Sequence, residues 1–235
     1  MTLKVIVTRS QPGAQDTAEE LKILRLEPIL SPMLKIVPAG FDPQAAEGIR
    51  HIIFTSINGV LAVAGAGIPK DIRAWCVGPA TGKAATEAGF THVIEGDGNA
   101  DDLADMITAS VPHGPLLHVA NEAAAGTLVA TLRAAGYDAR FAAPYRTDPA
   151  GALVPQALAA LEAPAPVVLL IHSAKAAAAL AATGAPLSGA AIVAISQAAL
   201  QPLTGAAGLG EWVARRPNEG DMMKALLRAV AQLAG

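Results

Sequence analysis

Short runs of Val, Ile, Leu and Ala recur along the chain and alternate with longer stretches in which apolar residues return every three or four positions. The short runs have the length and branching of buried strands, and the longer stretches have the period of amphipathic helices. Strands are expected at 4–7, 51–54, 74–77, 116–119, 167–171 and 191–195, with weaker ones near 28–30, 92–94, 139–142 and 211–213. Helices are expected at 12–25, 59–66, 81–88, 100–109, 123–135, 175–182 and 219–233. This alternation is the pattern of βα units on a parallel sheet. About ten strands are many for one open sheet and natural for two sheets of five.

Two stretches break the rhythm. Residues 31–43 carry Pro32, Pro38, Gly40 and Pro43, and residues 144–151 carry Pro144, Pro149 and Gly151. Proline disfavours helix at its own position and the one before, so both read as extended connections. They cut the chain into pieces of about 30, 100 and 85 residues, and a piece of about 30 residues buries too little surface to fold alone. The first piece is therefore expected to complete the last. Domain 1 would comprise residues 1–34 plus 147–235, an inserted domain 2 residues 40–143, and the linkers residues 35–39 and 144–146. A weak internal repeat supports two related halves. IIFTSIN (52–58) followed by WCVGPATGKA (75–84) resembles LLIHSAK (169–175) followed by VAISQAAL (193–200). Segments 5–26 and 117–139 likewise both read as strand, helix and a turn toward another strand.

Composition narrows the class. Of the 235 residues 53 are alanine, so much of the 52% apolar content is small side chain. Mean hydropathy is +0.41, yet no stretch of about 18 apolar residues is free of charge, Gly or Pro, and no spanning helix is expected. Residues 1–10 lack the basic and apolar regions of a secretory signal, so a cytoplasmic location is expected. A net charge of −3 argues against a general nucleic-acid binder. The single cysteine, Cys76, excludes a disulfide framework and a multi-cysteine metal site, and its place in an apolar strand marks a buried, inert thiol.

Candidate chemistry gathers at the expected strand ends: Thr8 and Arg9; Thr55, Ser56 and Asn58; Gly78 and Thr81; Asn121; Ser173 and Lys175; Ser196 and Gln197. Ligands of parallel sheets bind at the carboxyl ends of the strands, where helix N-termini also present free N–H groups. These residues offer hydroxyls, amides or positive charge, and only the more distal Glu122 offers a carboxylate, which suits a polyanion. Taken singly, each Ser, Thr or Asn is an ordinary helix cap. Arg9 and Lys175 are harder to read as caps, because a cation there opposes the helix dipole. The run GPATGKA (78–84) has three residues between its glycines and Ala84 after Lys83, so it is not a nucleotide-binding P-loop. The five histidines show no metal-ligand spacing, and no serine nucleophile elbow or glycosidase carboxylate pair is present. Tyr145 lies in the second linker, beside the cleft expected between two domains, where its phenol can give or take a proton. The alternative is a hinge ring with a wetted hydroxyl.

Several motifs share an order and spacing that resemble the uroporphyrinogen-III synthase family over nearly the whole chain. They are Val7-Thr8-Arg9, Phe54-Thr55-Ser56-Ile57-Asn58-Gly59, Cys76-Val77-Gly78-Pro79-Ala80-Thr81, Gly136 before a short strand, Tyr145-Arg146-Thr147 and Arg216-Pro217-Asn218-Glu219. The resemblance implies an α/β fold of two similar domains joined by a two-stranded linker, each a parallel five-stranded sheet flanked by helices in flavodoxin-like fashion. It implies a lyase of tetrapyrrole (heme) biosynthesis that closes hydroxymethylbilane to uroporphyrinogen III with inversion of ring D and loss of water. It further implies no cofactor and no metal. The only partner expected is the small-molecule tetrapyrrole, with a transient contact to the upstream enzyme and neither nucleic acid nor membrane. The default oligomeric state is a monomer, because no apolar surface helix stands out. By the same resemblance Tyr145 is the candidate proton donor. Thr8, Arg9, Thr55, Ser56, Asn58, Gly78, Thr81, Ser173, Lys175 and Ser196 are the candidate substrate-binding residues. The chain departs from the family at Ile195-Ser196-Gln197-Ala198-Ala199, where a Gly-x-Thr-Thr turn is common, and at Val119-Ala120-Asn121, where a basic residue is expected. Two other readings of the residues are a two-domain cytoplasmic small-molecule binding protein and a catalytically degenerate synthase.

Overall fold

The computed structural model describes residues 2–124 and 127–233. In chain order the first segment contains β1 (Lys4–Val7), α1 (Gly13–Ile23), β2 (Glu27–Leu30) and β3 (Leu34–Pro38). The second contains β4 (His51–Phe54), α2 (Ile57–Val63), β5 (Arg73–Cys76), α3 (Pro79–Glu87), β6 (His92–Glu95) and α4 (Ala100–Ala109). The third contains β7 (Leu116–Asn121), α5 (Thr127–Ala134) and β8 (Ala139–Pro149). The fourth contains α6 (Pro155–Glu162), β9 (Val167–Ile171), α7 (Ala174–Ala181), β10 (Ala190–Ala194), α8 (Gln197–Leu200), β11 (Glu211–Val213) and α9 (Glu219–Leu233).

The chain forms two compact units, Met1–Lys35 with Asp148–Gly235, and Ile36–Thr147. In the first unit the strands lie in the order β2-β1-β9-β10-β11, every neighbouring pair parallel. In the second they lie in the order β8-β7-β4-β5-β6, again parallel, with β3 outside β8. The two layouts correspond strand for strand. In each unit a βαβ piece from one part of the chain completes a sheet begun elsewhere. The β1–α1–β2 piece joins β9, β10 and β11, and β7–α5–β8 joins β4, β5 and β6. This exchange is the physical content of the repeat read along the sequence.

Parallel sheets are covered on both faces, so their central strands are apolar throughout. All five residues of β9 and of β10 are buried, as are all four of β4. Side chains then sort by alternation. In the first unit Ile6, Leu169 and Ile192 pack toward Leu161 and Leu180, while Val5, Val7, Leu170 and Val193 pack toward Leu21, Met222 and Leu226. In the second unit Ile52, Phe54 and Leu117 meet Val60 and Val63, while Ile53 and Trp75 meet Leu103, Ile107 and Leu132.

Several features differ from expectation. The second unit has a six-stranded sheet rather than five, because β3 adds an edge strand. Pro32 and Pro38 bound Leu34–Val37 without interrupting it, and proline at the end of an edge strand costs no ladder bond. The Ala39 N–H donates to the Pro144 carbonyl (2.8 Å), and the Ala150 N–H donates to the Met33 carbonyl (2.9 Å). Strand β8 runs on to Pro149, so the stretch read as an extended connection continues the strand expected near 139–142. Helix α6 was not anticipated: its alanines carry little periodic signal, though Ala157, Ala160 and Leu161 are buried. The expected helix 123–135 begins at Thr127 after a short 3₁₀ turn at Glu122–Ala124, and residues 125 and 126 lie outside the described residues.

Gly59 sets how closely α2 approaches the end of β7. A Cβ there would stand 2.6 Å from the Val119 carbonyl oxygen, a backbone atom that cannot swing aside. Gly59→Ala is therefore expected to destabilise the protein by about 1–3 kcal/mol. Urea unfolding would show a lower midpoint at an unchanged slope.

Candidate functional site

In the second unit the polar groups stand at the carboxyl ends of β4, β5, β7 and β8. Ser56 follows β4 in extended conformation, and its hydroxyl accepts the Gly59 N–H (3.3 Å), capping α2. The same Oγ lies 2.8 Å from the Tyr145 phenol, and either group can donate. Tyr145 reaches that position through a register shift. Val119 pairs with Ala142 but Asn121 pairs with Tyr145, so β8 carries one extra residue between Ala142 and Tyr145, the stretch that holds Pro144. Pro144 has no N–H for the ladder, and a bulge of this kind turns the next side chain to the other face. The expectation of a wetted linker tyrosine is corrected, since Tyr145 is only 4% exposed. Burial pushes its phenol above the ordinary value, with the Ser56 hydroxyl and the Asn121 backbone pulling the other way. The group is therefore a protonated donor at neutral pH.

The remaining candidates in this unit divide by occupation. The Thr55 hydroxyl lies 2.9 Å from His118 Nε2. His118 is 2% exposed, and burial lowers its imidazole to about 4, leaving it neutral at pH 7. Asn121 caps its own turn, accepting the Ala123 N–H (2.8 Å), and donates to Thr147 Oγ1 (3.3 Å). Asn58 is half-buried on the first turn of α2. Gly78 caps α3 with no side chain and is followed by Pro79, so no capping side chain fills the first turn. Thr81 is buried on that turn. Cys76 is buried and its thiol is pushed up to about 12, as an inert group would be.

In the first unit the strand ends hold a feature the sequence did not reveal. Glu219, the first residue of α9, receives three contacts. Arg9 donates to Oε2 (3.0 Å), the Thr17 hydroxyl donates to Oε1 (2.9 Å), and His172 Nε2 lies 3.3 Å from Oε1. Arg9 also reaches Thr17 (3.3 Å). Burial alone would raise the Glu219 carboxyl, but His172, Arg9 and Thr17 together hold it below the usual carboxylate range. Nearby Glu20 is pushed up, first by burial and then by the charge of Glu219. Glu122 is thus not the only carboxylate at the strand ends, and Arg9 is not an unopposed cation. Glu219 lies 210 residues from Arg9 and is placed by the Asn218 cap of α9, whose Oδ1 accepts the Asp221 N–H (2.9 Å). Gly13 admits the arginine, because a Cβ there would stand 2.5 Å from the guanidinium. Beside this cluster Arg215, Arg216, Asp221 and Lys224 line a pocket of about 310 Å³.

The other candidates in this unit have these surroundings. Thr8 is fully buried and its hydroxyl donates to the Leu170 carbonyl (2.7 Å), so it ties β1 to β9 instead of facing a ligand. Ser173 and Ser196 act as caps, accepting the N–H of Ala176 and of Ala199 respectively (3.1 Å each). Lys175 is exposed on the first turn of α7. Among the described residues no three His, Cys, Asp or Glu side chains are grouped to hold a metal ion, and no helix is long and apolar enough to cross a membrane.

Comparison with known proteins supplies the context. The family model described as uroporphyrinogen-III synthase HemD matches residues 15–224. The chain belongs to the uroporphyrinogen-III synthase family. Its fold is similar to the crystal structure of uroporphyrinogen-III synthetase from Helicobacter pylori 26695. That similarity has a TM-score of 0.67 at 16% identity and covers 97% of this chain and 99% of that one. A mutant uroporphyrinogen III synthase from the extremely thermophilic bacterium Thermus thermophilus matches at a TM-score of 0.48 and 17% identity, over 98% of this chain and 100% of that one. A comparison with curated proteins returned no match. Membership makes the chain one of an enzyme family of heme biosynthesis that acts on a tetrapyrrole.

His118 gives the site a pH signature. Its folded value near 4 lies below the ordinary 6.5, so the unfolded chain takes up the proton first. The stabilisation is full above 6.5 and lost as pH falls toward 4. His118→Gln, which keeps a partner for Thr55, is expected to flatten that part of the profile in urea unfolding measured across this range.

Proposed function

We propose that the protein is a cyclising lyase that converts hydroxymethylbilane to uroporphyrinogen III, with Tyr145 as the proton donor. Family membership carries the reaction class, and the Tyr145–Ser56 pair at the β8 bulge carries the assignment of the donor. Loss of hydroxide from the hydroxymethyl group needs a proton. The Tyr145 phenol supplies it, the C–O bonding pair leaves with the oxygen as water, and the pyrrole nitrogen's lone pair is pushed through the ring to form a C=C bond to the remaining methylene. The substituted α-carbon of ring D then attacks that methylene to give a spiro intermediate, which fragments at the old bond to ring D and recloses through ring D's other α-carbon with loss of a proton, leaving the ring inverted. The proton released in the final closure returns to the phenolate, so the enzyme ends as it began. Ser56 supports the charge change: its oxygen is held by the Gly59 N–H, and its own proton can point at the phenolate. General acids of this kind contribute roughly a hundredfold or more. The larger task is conformational, because closure without inversion competes in solution.

The substrate's eight carboxylates call for donors. Thr55, Asn58, Gly78 and Thr81 in one unit, and Arg9, Ser173, Lys175 and Ser196 in the other, are the proposed contacts, with Ser56 shared between binding and proton relay. Ser196 and backbone amides take the place of the family's threonine pair. In this reading the units are two flavodoxin-like domains joined by a two-stranded linker, and the enzyme is a cytoplasmic monomer that meets the upstream enzyme only in passing.

The test is an assay with freshly generated hydroxymethylbilane that separates the type I and type III isomers. An excess of type III is expected, and type I alone from folded protein would overturn the reading. Tyr145→Phe is expected to lower kcat roughly a hundredfold or more. Its unfolding free energy should stay within about 1 kcal/mol of the parent, since one neutral hydrogen bond is lost. Full turnover by this variant at saturating substrate would remove Tyr145 from the mechanism.

A further inference from the structure

Arg9, Thr17 and His172 come from three different elements of the first unit and converge on one carboxylate, that of Glu219. The arrangement has a rigid back and an open front. Thr17 is 1% exposed and the His172 side chain 7%, whereas the side chains of Arg9 and Glu219 are 34% and 32% exposed. Arg9 also lies against the first turn of α1, where the helix dipole disfavours a cation and makes an anionic partner necessary. Among the described residues His172 Nδ1 is buried without a partner, so the ring's polar contact is the one Nε2 makes to the carboxylate. Side-chain contacts tie the Glu219 carboxylate to these three residues. The Glu219 backbone begins α9 under the separate Asn218 cap, so the side chain can swing outward without unwinding the helix.

We propose that Glu219 is an internal stand-in, and that Arg9, Thr17 and His172 form a carboxylate seat that an acetate or propionate arm of the substrate takes by displacing it. The inference rests on the synthase reading for the identity of that arm. Glu20 interacts unfavourably with the carboxylate in the seat, so a free carboxylate such as acetate fills it only at high concentration. An arm tethered by the substrate's other contacts arrives at a high effective concentration and overcomes this. Arg215, Arg216 and Lys224, against the single Asp221, stand close in the chain and favour entry of an anion. Displacement also explains how Arg9 serves a ligand although an ion pair already occupies it.

Chemical rescue tests the seat without relying on turnover. Glu219→Ala is expected to lower Tm by several degrees. Sodium acetate should recover a substantial part of that loss relative to sodium chloride at equal ionic strength, through ligand linkage to the folded state. The parent protein should show no such difference, and Arg9→Ala added to Glu219→Ala should abolish the rescue. An equal response to acetate and chloride in Glu219→Ala would overturn the proposal and leave Glu219 a fixed structural partner. Should Glu219→Ala not fold, Glu219→Asp, one methylene too short to fill the seat, takes the same comparison with the same two outcomes. In the synthase assay Glu219→Ala should lower KM and make acetate a competitive inhibitor, and a raised KM would count against displacement. Rescue with no type III product from the parent protein would keep the seat and reject the synthase reading instead.

Discussion

Strand β1 is bonded to β2 on one side and to β9 on the other, and the first unit depends on that insertion. Lys4–Val7 pairs with Glu27–Leu30 and equally with 167–170, so the opening segment is the inner strand of a sheet whose other half lies far along the chain. Thr8 extends the tie with a buried bond to Leu170. Because β1 ends there, Arg9 emerges beside β9, and His172 emerges one residue beyond β9's last. The helix that follows β11 then delivers Glu219 to both. None of these partners is near another in sequence, and the parallel register alone brings them together.

Three serines that follow strands and cap helices share one local device in different surroundings. Ser56, Ser173 and Ser196 have nearly the same backbone (φ of −162°, −160° and −159°), and each accepts the N–H three residues on. Locally they are equivalent caps. Only Ser56 has a phenol against it, and that phenol arrives through an extra residue on β8 in the stretch that holds Pro144. The distinction between Ser56 and the other two caps therefore lies in the neighbouring strand. Burial completes it: the Tyr145 phenol is held protonated while its hydroxyl keeps a partner able to stabilise the anion.

Charge is handled in the same way. Arg9 at the start of α1 is costly by itself and is balanced by a carboxylate that also gathers Thr17 and His172. The balance is internal here, which is why a reading that saw only donors at the strand ends expected an open anion site. Glu219 was visible as the last letter of Arg216-Pro217-Asn218-Glu219, and an acidic residue after an Asn cap has an ordinary local explanation as a partner of the helix dipole.

Periodicity and composition determined most of the elements, the parallel α/β class and the two-part organisation, because buried strands and amphipathic helices each write their burial into consecutive residues. The brevity of the opening segment and the repeat also determined that distant pieces must share a sheet. Proline content marked extended connections at β3 and β8, where bounding prolines leave the intervening residues free to pair, and alanine-rich α6 gave too little contrast to be read. The tertiary structure alone decided that Thr8 is a strand tie, that Tyr145 is buried against Ser56, and that Arg9 already holds a carboxylate. Those outcomes depend on which strand lies beside which and in what register, and contacts of up to 210 residues' separation leave no periodic trace in the chain that makes them.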